Sequence, residues 1–170
     1  PSCSAIALRR HGMHVRNLTL AELGDVGERF GLAILVGVLE HLVDLDASLE
    51  QIARVLEPGG LVYIEVPDVT AFADWPNAPY QDFSTEHLIF FSPSSLTTAM
   101  KRAGFSVVWL EQNARLQAHR TTMSNISAFF RRDTARQAPT HVIYDETSTA
   151  GIERYLRACD GEEKRLQERI

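Results

Sequence analysis

A chain of 170 residues, 45% hydrophobic and 23% charged, can bury one modest core and leaves no room for a second full domain. Its net charge of −5, with Arg scattered rather than striped, argues against nucleic acid as the main partner, and no apolar run approaches the length of a membrane span. Cys3 and Cys159 lie near opposite ends without C-x-x-C spacing, which argues against a disulfide framework or a zinc site. With no signal-like beginning, the expectation is a cytoplasmic protein whose ligand is a small molecule.

In chain order, residues 2–11 read as a helix ending at Gly12, and residues 13–18 as a short strand of weak alternation. Thr19 and Glu22 have the spacing of a capping box, which starts a helical turn over residues 19–23. Residues 32–36 are a continuous apolar run and residues 61–66 a second, rich in β-branched side chains. Both read as parallel strands buried on both faces. Between them Leu49, Ile52, Ala53, Val55 and Leu56 recur at helical spacing after Asp46, the predicted N-cap. Pro58-Gly59-Gly60 is expected to stop that helix, because proline lacks a donor and glycine accepts positive φ. Strand, helix and strand make a right-handed βαβ unit, so ligands are expected beyond the carboxyl ends of its strands, at residues 37–41 and 67–71.

The long segment 70–93, rich in Asp, Pro and aromatic residues, is a candidate lid, since loops of that length in a compact domain usually carry function. Ser92-Pro93-Ser94-Ser95 opens a further helix that runs through Leu96, Ala99 and Met100 to Gly104. Strands at 106–110 and 125–130 are expected to pair antiparallel at one edge of an otherwise parallel sheet. Residues 131–139 are polar and linker-like. In residues 152–170, Ile152, Tyr155, Leu156, Leu166 and Ile170 alternate with charges at helical spacing, an amphipathic helix without an evident partner.

The wording GLAILVGVLEHLVDLDASLEQIARVLEPGGLVYIEVPD, residues 31–68, resembles the middle of class I S-adenosylmethionine-dependent methyltransferases. There a strand ends in a small residue followed by LEHL, and the next strand follows a PGG turn. QDFSTEHLIFFS, residues 81–92, resembles the EHLxxFS element that follows the fifth strand in small-molecule and sugar methyltransferases. The resemblance implies a Rossmann-like α/β fold: a mostly parallel sheet with an antiparallel edge hairpin, truncated at its amino end. The family's G-x-G-x-G loop and the acid that holds the cofactor ribose would lie before Pro1, and Gly31 stands where the family usually has Asp. On this reading residues 1–132 are a partial methyltransferase domain, 133–151 a linker and 152–170 a C-terminal helix.

The same resemblance implies S-adenosylmethionine as cofactor. Gly37, Val38 and Leu39 would lie along its methionine part with His41 lining the cleft, and Leu18 and Thr19 would belong to the loop that holds adenine. His87 would be the general base, because an imidazole with pKa near neutrality can take a proton as the methyl arrives. Tyr80 and Glu86 would face the substrate. The leading function is methyl transfer to a small molecule, such as a sugar or sugar nucleotide, and the alternative is a non-catalytic methyltransferase-like interaction module. Metal-dependent hydrolysis through Glu40, His41, Glu86 and His87 is disfavoured, since their spacing matches no helical metal motif, and no metal is expected. An unpaired sheet edge, or the C-terminal helix, is expected to permit self-association.

Overall fold

The computed structural model describes residues 2–75, 78–116, 121–133 and 144–168. Helix α1 (Cys3–His11) starts where the Ser2 hydroxyl accepts from the Ala5 amide and stops at Gly12, whose φ is 65°. Residues 13–18 form no strand, contrary to expectation. A strand needs a partner for its backbone, and their weak alternation leaves Met13, Val15 and Leu18 exposed. The capping box is present: the Glu22 carboxylate accepts from the Thr19 amide and hydroxyl, both at 2.7 Å, and opens a 3-10 turn, Leu20–Val26.

Strand β1 (Phe30–Val36) runs parallel to β2 (Leu56–Pro67), and helix α2 (Leu45–Val55) crosses between them. The cap of α2 is Asp44, which accepts from the Ala47 amide at 3.0 Å, and not Asp46. Asp44 has the extended backbone that a cap requires; Asp46 lies inside the first turn and pairs with Arg102 at 2.7 Å. The helix also ends earlier than the glycines suggested. Leu56 already pairs with Phe30, and the Pro-Gly-Gly turn is an irregularity inside β2.

Helix α3 (Pro93–Arg102) opens at the expected Ser-Pro-Ser-Ser stretch with Ser92 as its cap, and β3 (Phe105–Leu116) and β4 (Thr122–Arg132) pair as the expected antiparallel edge strands. The sheet order is β1-β2-β4-β3, with β2 and β4 antiparallel. Leu49 and Ile52 of α2 and Leu96 and Met100 of α3 pack with Val62, Ile64, Val66, Ile126, Ala128 and Phe130, the alternate residues of the two central strands. All lie on one face of the sheet, as period-two strands require. The opposite face carries Leu32, Ile34, Tyr63, Phe129 and Trp109. Tyr63 and Trp109 stand 5.0 and 6.0 Å from the Phe129 ring, yet Ile34 is 64% exposed. The expectation that both parallel strands are buried on both faces is therefore corrected for β1, because α2 and α3 cover the same side.

The last helix, α4 (Glu146–Gln167), begins before residue 152 and does have a partner. Tyr155 and Cys159 bury against Val69 and Phe72 of a 3-10 turn, Val69–Asp74, and Phe83 and Phe90 complete this second, smaller core. Of the expected linker, residues 131 and 132 belong to β4, and residues 134–143, like Ile170, lie outside the described residues. Among the described residues no helix is long and apolar enough to cross a membrane.

Asp145 joins the two caps. Its carboxylate accepts from the amides of Thr147 and Ser148 and also from the hydroxyl of Ser92, the cap of α3. Burial pushes this carboxyl up, but the hydrogen bonds from Ser92, Thr147 and Ser148 outweigh it and hold the pKa at about 2. A folded value below the ordinary 3.8 means that the stabilisation is complete above that pH and is lost as pH falls through about 2. Asp145→Ala is expected to cost about 0.5–2 kcal/mol at neutral pH, as cap losses do. Denaturant titrations at descending pH should show native and variant converging between pH 4 and pH 2.

Candidate active site

Where β1 ends, the chain turns at Gly37, whose φ of 63° is costly for any residue with a Cβ. The Gly37 amide donates to the Glu65 carbonyl at 3.0 Å, carrying the parallel ladder one step past the strand. Val38 then starts a short 3-10 turn, Leu39–His41, in which Leu39 enters the main core and Glu40 is buried to 3% exposure. The Glu40 carbonyl accepts from the amides of Leu88 and Ile89 at 2.8 and 3.2 Å, which ties the segment after the candidate lid to the end of β1. His41 Nδ1 lies 2.8 Å from the Glu86 carbonyl, so Nδ1–H donates there and Nε2 is the ring nitrogen left to face Glu40.

These bonds bring the two Glu-His pairs of the sequence together. The His41 and His87 rings have centroids 5.0 Å apart at 66°, and His41 Nε2 is 3.9 Å from the Glu40 carboxylate. Beside them lies a cleft of about 300 Å³ at the carboxyl ends of β1 and β2, lined by Gly37, Glu40, Glu65, Pro67, His87, Arg115 and Asn125. Glu65 is buried, and its Oε2 accepts from Tyr63 Oη at 3.1 Å and Ser127 Oγ at 3.4 Å and pairs with the Arg115 guanidinium at 2.9 Å. Glu40 Oε2 and His87 Nδ1, by contrast, are buried without a hydrogen-bond partner. An unpaired buried polar atom costs about 1–3 kcal/mol, and such atoms concentrate where a site uses them.

Helix α4 supports the loop from below. The Asp82 amide donates to Tyr155 Oη at 3.0 Å and the Tyr80 amide to Cys159 Sγ at 3.1 Å. Burial raises the Asp82 carboxyl, against the hydrogen bond from Tyr155 and the attraction of His87, which lower it. Tyr80 takes a left-handed backbone, φ 60°, and gives its hydroxyl to Asp160, a bond that pushes its pKa up to about 12.

The structure thus brings together Gly37, Glu40, His41 and His87. It does not bring Tyr80 or the Glu86 carboxylate into the cleft: Tyr80 faces α4, and Glu86 contributes its carbonyl. Leu18 lines a separate groove of about 400 Å³ with Arg16, Leu23 and Phe30, and Thr19 is occupied in its capping box. Sequence reasoning missed Glu65, Arg115, Asn125 and Asp82. For Glu65 a signal existed, since a carboxylate inside the apolar run of residues 61–66 needs buried partners, and Ser127 stands opposite it in the register.

Comparison with known proteins bears on the family and the fold. The model of the methyltransferase domain family matches residues 1–110. The ubiquinone biosynthesis O-methyltransferase of Chelativorans sp. (strain BNC1) is 39% identical over 46 residues, 27% of this chain and 18% of that protein. The C-methyltransferase NovU of Streptomyces niveus is 33% identical over 92 residues, 52% of this chain and 21% of NovU. The chain therefore spans about a fifth of the length of these two relatives. Among solved structures, the 1,6-didemethyltoxoflavin-N1-methyltransferase of Burkholderia thailandensis superposes with a TM-score of 0.55 at 19% identity, over 78% of this chain and 57% of that one. A methyltransferase of Methanosarcina mazei gives the same score at 11% identity, over 77% and 76%. With the family match extending over more than half of its residues, the chain belongs to the methyltransferase domain family and has the class I, Rossmann-like fold.

Proposed function

We propose that the protein transfers a methyl group from S-adenosylmethionine to a small molecule, with the acceptor bound between His87 and the carboxyl ends of β1 and β2. The observation that carries this reading is the cleft itself: bare glycine backbone at the end of β1 faces an imidazole across a space of about 300 Å³. The residues fit the cofactor, since Gly37, held at a φ of 63°, presents backbone and no side chain where a methionine-like chain would lie. When bound, the cofactor supplies an electrophilic methyl on a sulfonium that leaves as a neutral thioether. The protein has two remaining tasks, to align the acceptor and to take its proton. His87 takes that proton, and the backbone of residues 37–39, with the Leu39 side chain turned into the core, borders the cofactor together with His41. The names of the relatives, a ubiquinone-pathway O-methyltransferase and a C-methyltransferase, support a small acceptor.

The test is to incubate the full-length protein with methyl-labelled S-adenosylmethionine and panels of phenolic and sugar acceptors. Label is expected in a small-molecule product. A protein that binds no cofactor and labels nothing would instead support a non-catalytic interaction module.

A further inference from the structure

Glu40, His41 and His87 place one ligating atom each within 4.8 Å of one another, and we propose that together they form a divalent-cation site of the zinc type. Spacing along the chain argued against such a site, because Glu40 and His41 sit on one short turn and His87 on a distant loop; the Glu40 carbonyl bonds to Leu88 and Ile89 and the His41 bond to the Glu86 carbonyl bring them together. Three features beyond proximity point to a cation.

The Glu40 side chain is almost wholly buried, and while its Oε1 lies 3.9 Å from His41 Nε2, its Oε2 has no partner, so the carboxylate has been taken out of water with incomplete compensation. A cation completes that compensation. His41 is oriented as a ligand should be: Nδ1 is engaged by the Glu86 carbonyl, which fixes the tautomer and turns the Nε2 lone pair toward Glu40. His87 adds a second imidazole whose buried Nδ1 is also without a partner.

Two imidazoles and one carboxylate suit zinc or cobalt better than magnesium or calcium, which prefer oxygen ligands. Three protein ligands leave a fourth tetrahedral position open, and Glu40 and His87 both line the cleft, so that position faces it. Tetrahedral bonds of roughly 2.0–2.2 Å hold ligand atoms ~3.4 Å apart, so loading requires the set to contract. The cation would occupy the lone pairs that bind protons, so a loaded site is one in which His87 no longer serves as a base. The site does not depend on the methyl-transfer reading.

The probe is Co2+, followed by the visible absorption of its tetrahedral complexes, with Zn2+ competition to confirm a shared site. The native protein is expected to bind one equivalent, displaced by Zn2+. Glu40→Gln, which keeps the side chain's shape, and His87→Gln should each weaken binding at least tenfold, with thermal melts confirming that each variant folds. His14→Gln, an exposed histidine elsewhere, should not. Absence of a tetrahedral Co2+ spectrum, or binding that both site variants leave unchanged, would overturn the proposal.

Discussion

Replacing His87 with alanine is expected to lower the proposed methyl transfer ~10²- to 10⁴-fold, the usual contribution of a positioned acid or base, and to leave cofactor affinity unchanged. The separation follows from where the groups sit. His87 reaches the cleft from the loop, held edge-on between the rings of His41 at 5.0 Å and Phe90 at 6.5 Å, whereas the cofactor contacts proposed for residues 37–39 come from the end of β1. Truncation removes the imidazole but none of the backbone bonds that tie residues 88 and 89 to Glu40. Steady-state rates and calorimetric titration with the cofactor read the two effects apart. An unchanged rate would reduce His87 to ordering the loop, and a parallel loss of affinity would mean that the loop itself had come away from β1.

A valine at Gly151 is expected to release α4. A Cβ at this position would come within 2.7 Å of the Val69 carbonyl oxygen and 2.8 Å of the Thr70 Cα, and backbone atoms cannot rotate aside as a side-chain end can. Tyr155 and Cys159 follow at four-residue spacing on the same helical face, so lifting Gly151 lifts the whole stripe from Val69 and Phe72. Overpacking of this kind costs about 1–3 kcal/mol. The reporter is built in, because Cys3 is exposed and Cys159 buried. Thiol titration of the native protein under folding conditions should count Cys3 alone, and in Gly151→Val both thiols should react; a variant that still protects Cys159 would show α4 docked despite the clash.

What could be read from the sequence divides along the range of the interactions. Ser2, the Thr19–Glu22 pair and Ser92 cap helices through atoms at most three residues away, so α1, the first 3-10 turn and α3 were legible. The choice of Asp44 over Asp46 was not, since both aspartates fit and only the backbone conformation at Leu45 and before it separates cap from first turn. Apolar runs marked β1 and β2 but could not say which faces would be covered, because Ile34 and Leu35 are equally apolar and only the placement of α2 and α3 tells them apart. In the site, both Glu-His pairs were visible as words. Their meeting was not, since it rests on bonds from the Glu40 carbonyl to a loop more than forty residues on. Spacing therefore argued against joint action by residues that the fold brings side by side.

The central claim is that the cofactor lies against the end of β1, and Gly37→Val tests it most directly. The left-handed φ there costs a branched residue roughly 1–2 kcal/mol, which a folded domain tolerates, while the side chain projects where the methionine part of the cofactor is placed. Equilibrium dialysis with labelled S-adenosylmethionine on the full-length protein, native and variant, with thermal melts to confirm folding, decides the matter. Binding by the native protein and at least a tenfold loss in Gly37→Val are expected; equal affinity in a folded variant would mean that the cofactor does not lie against the end of β1.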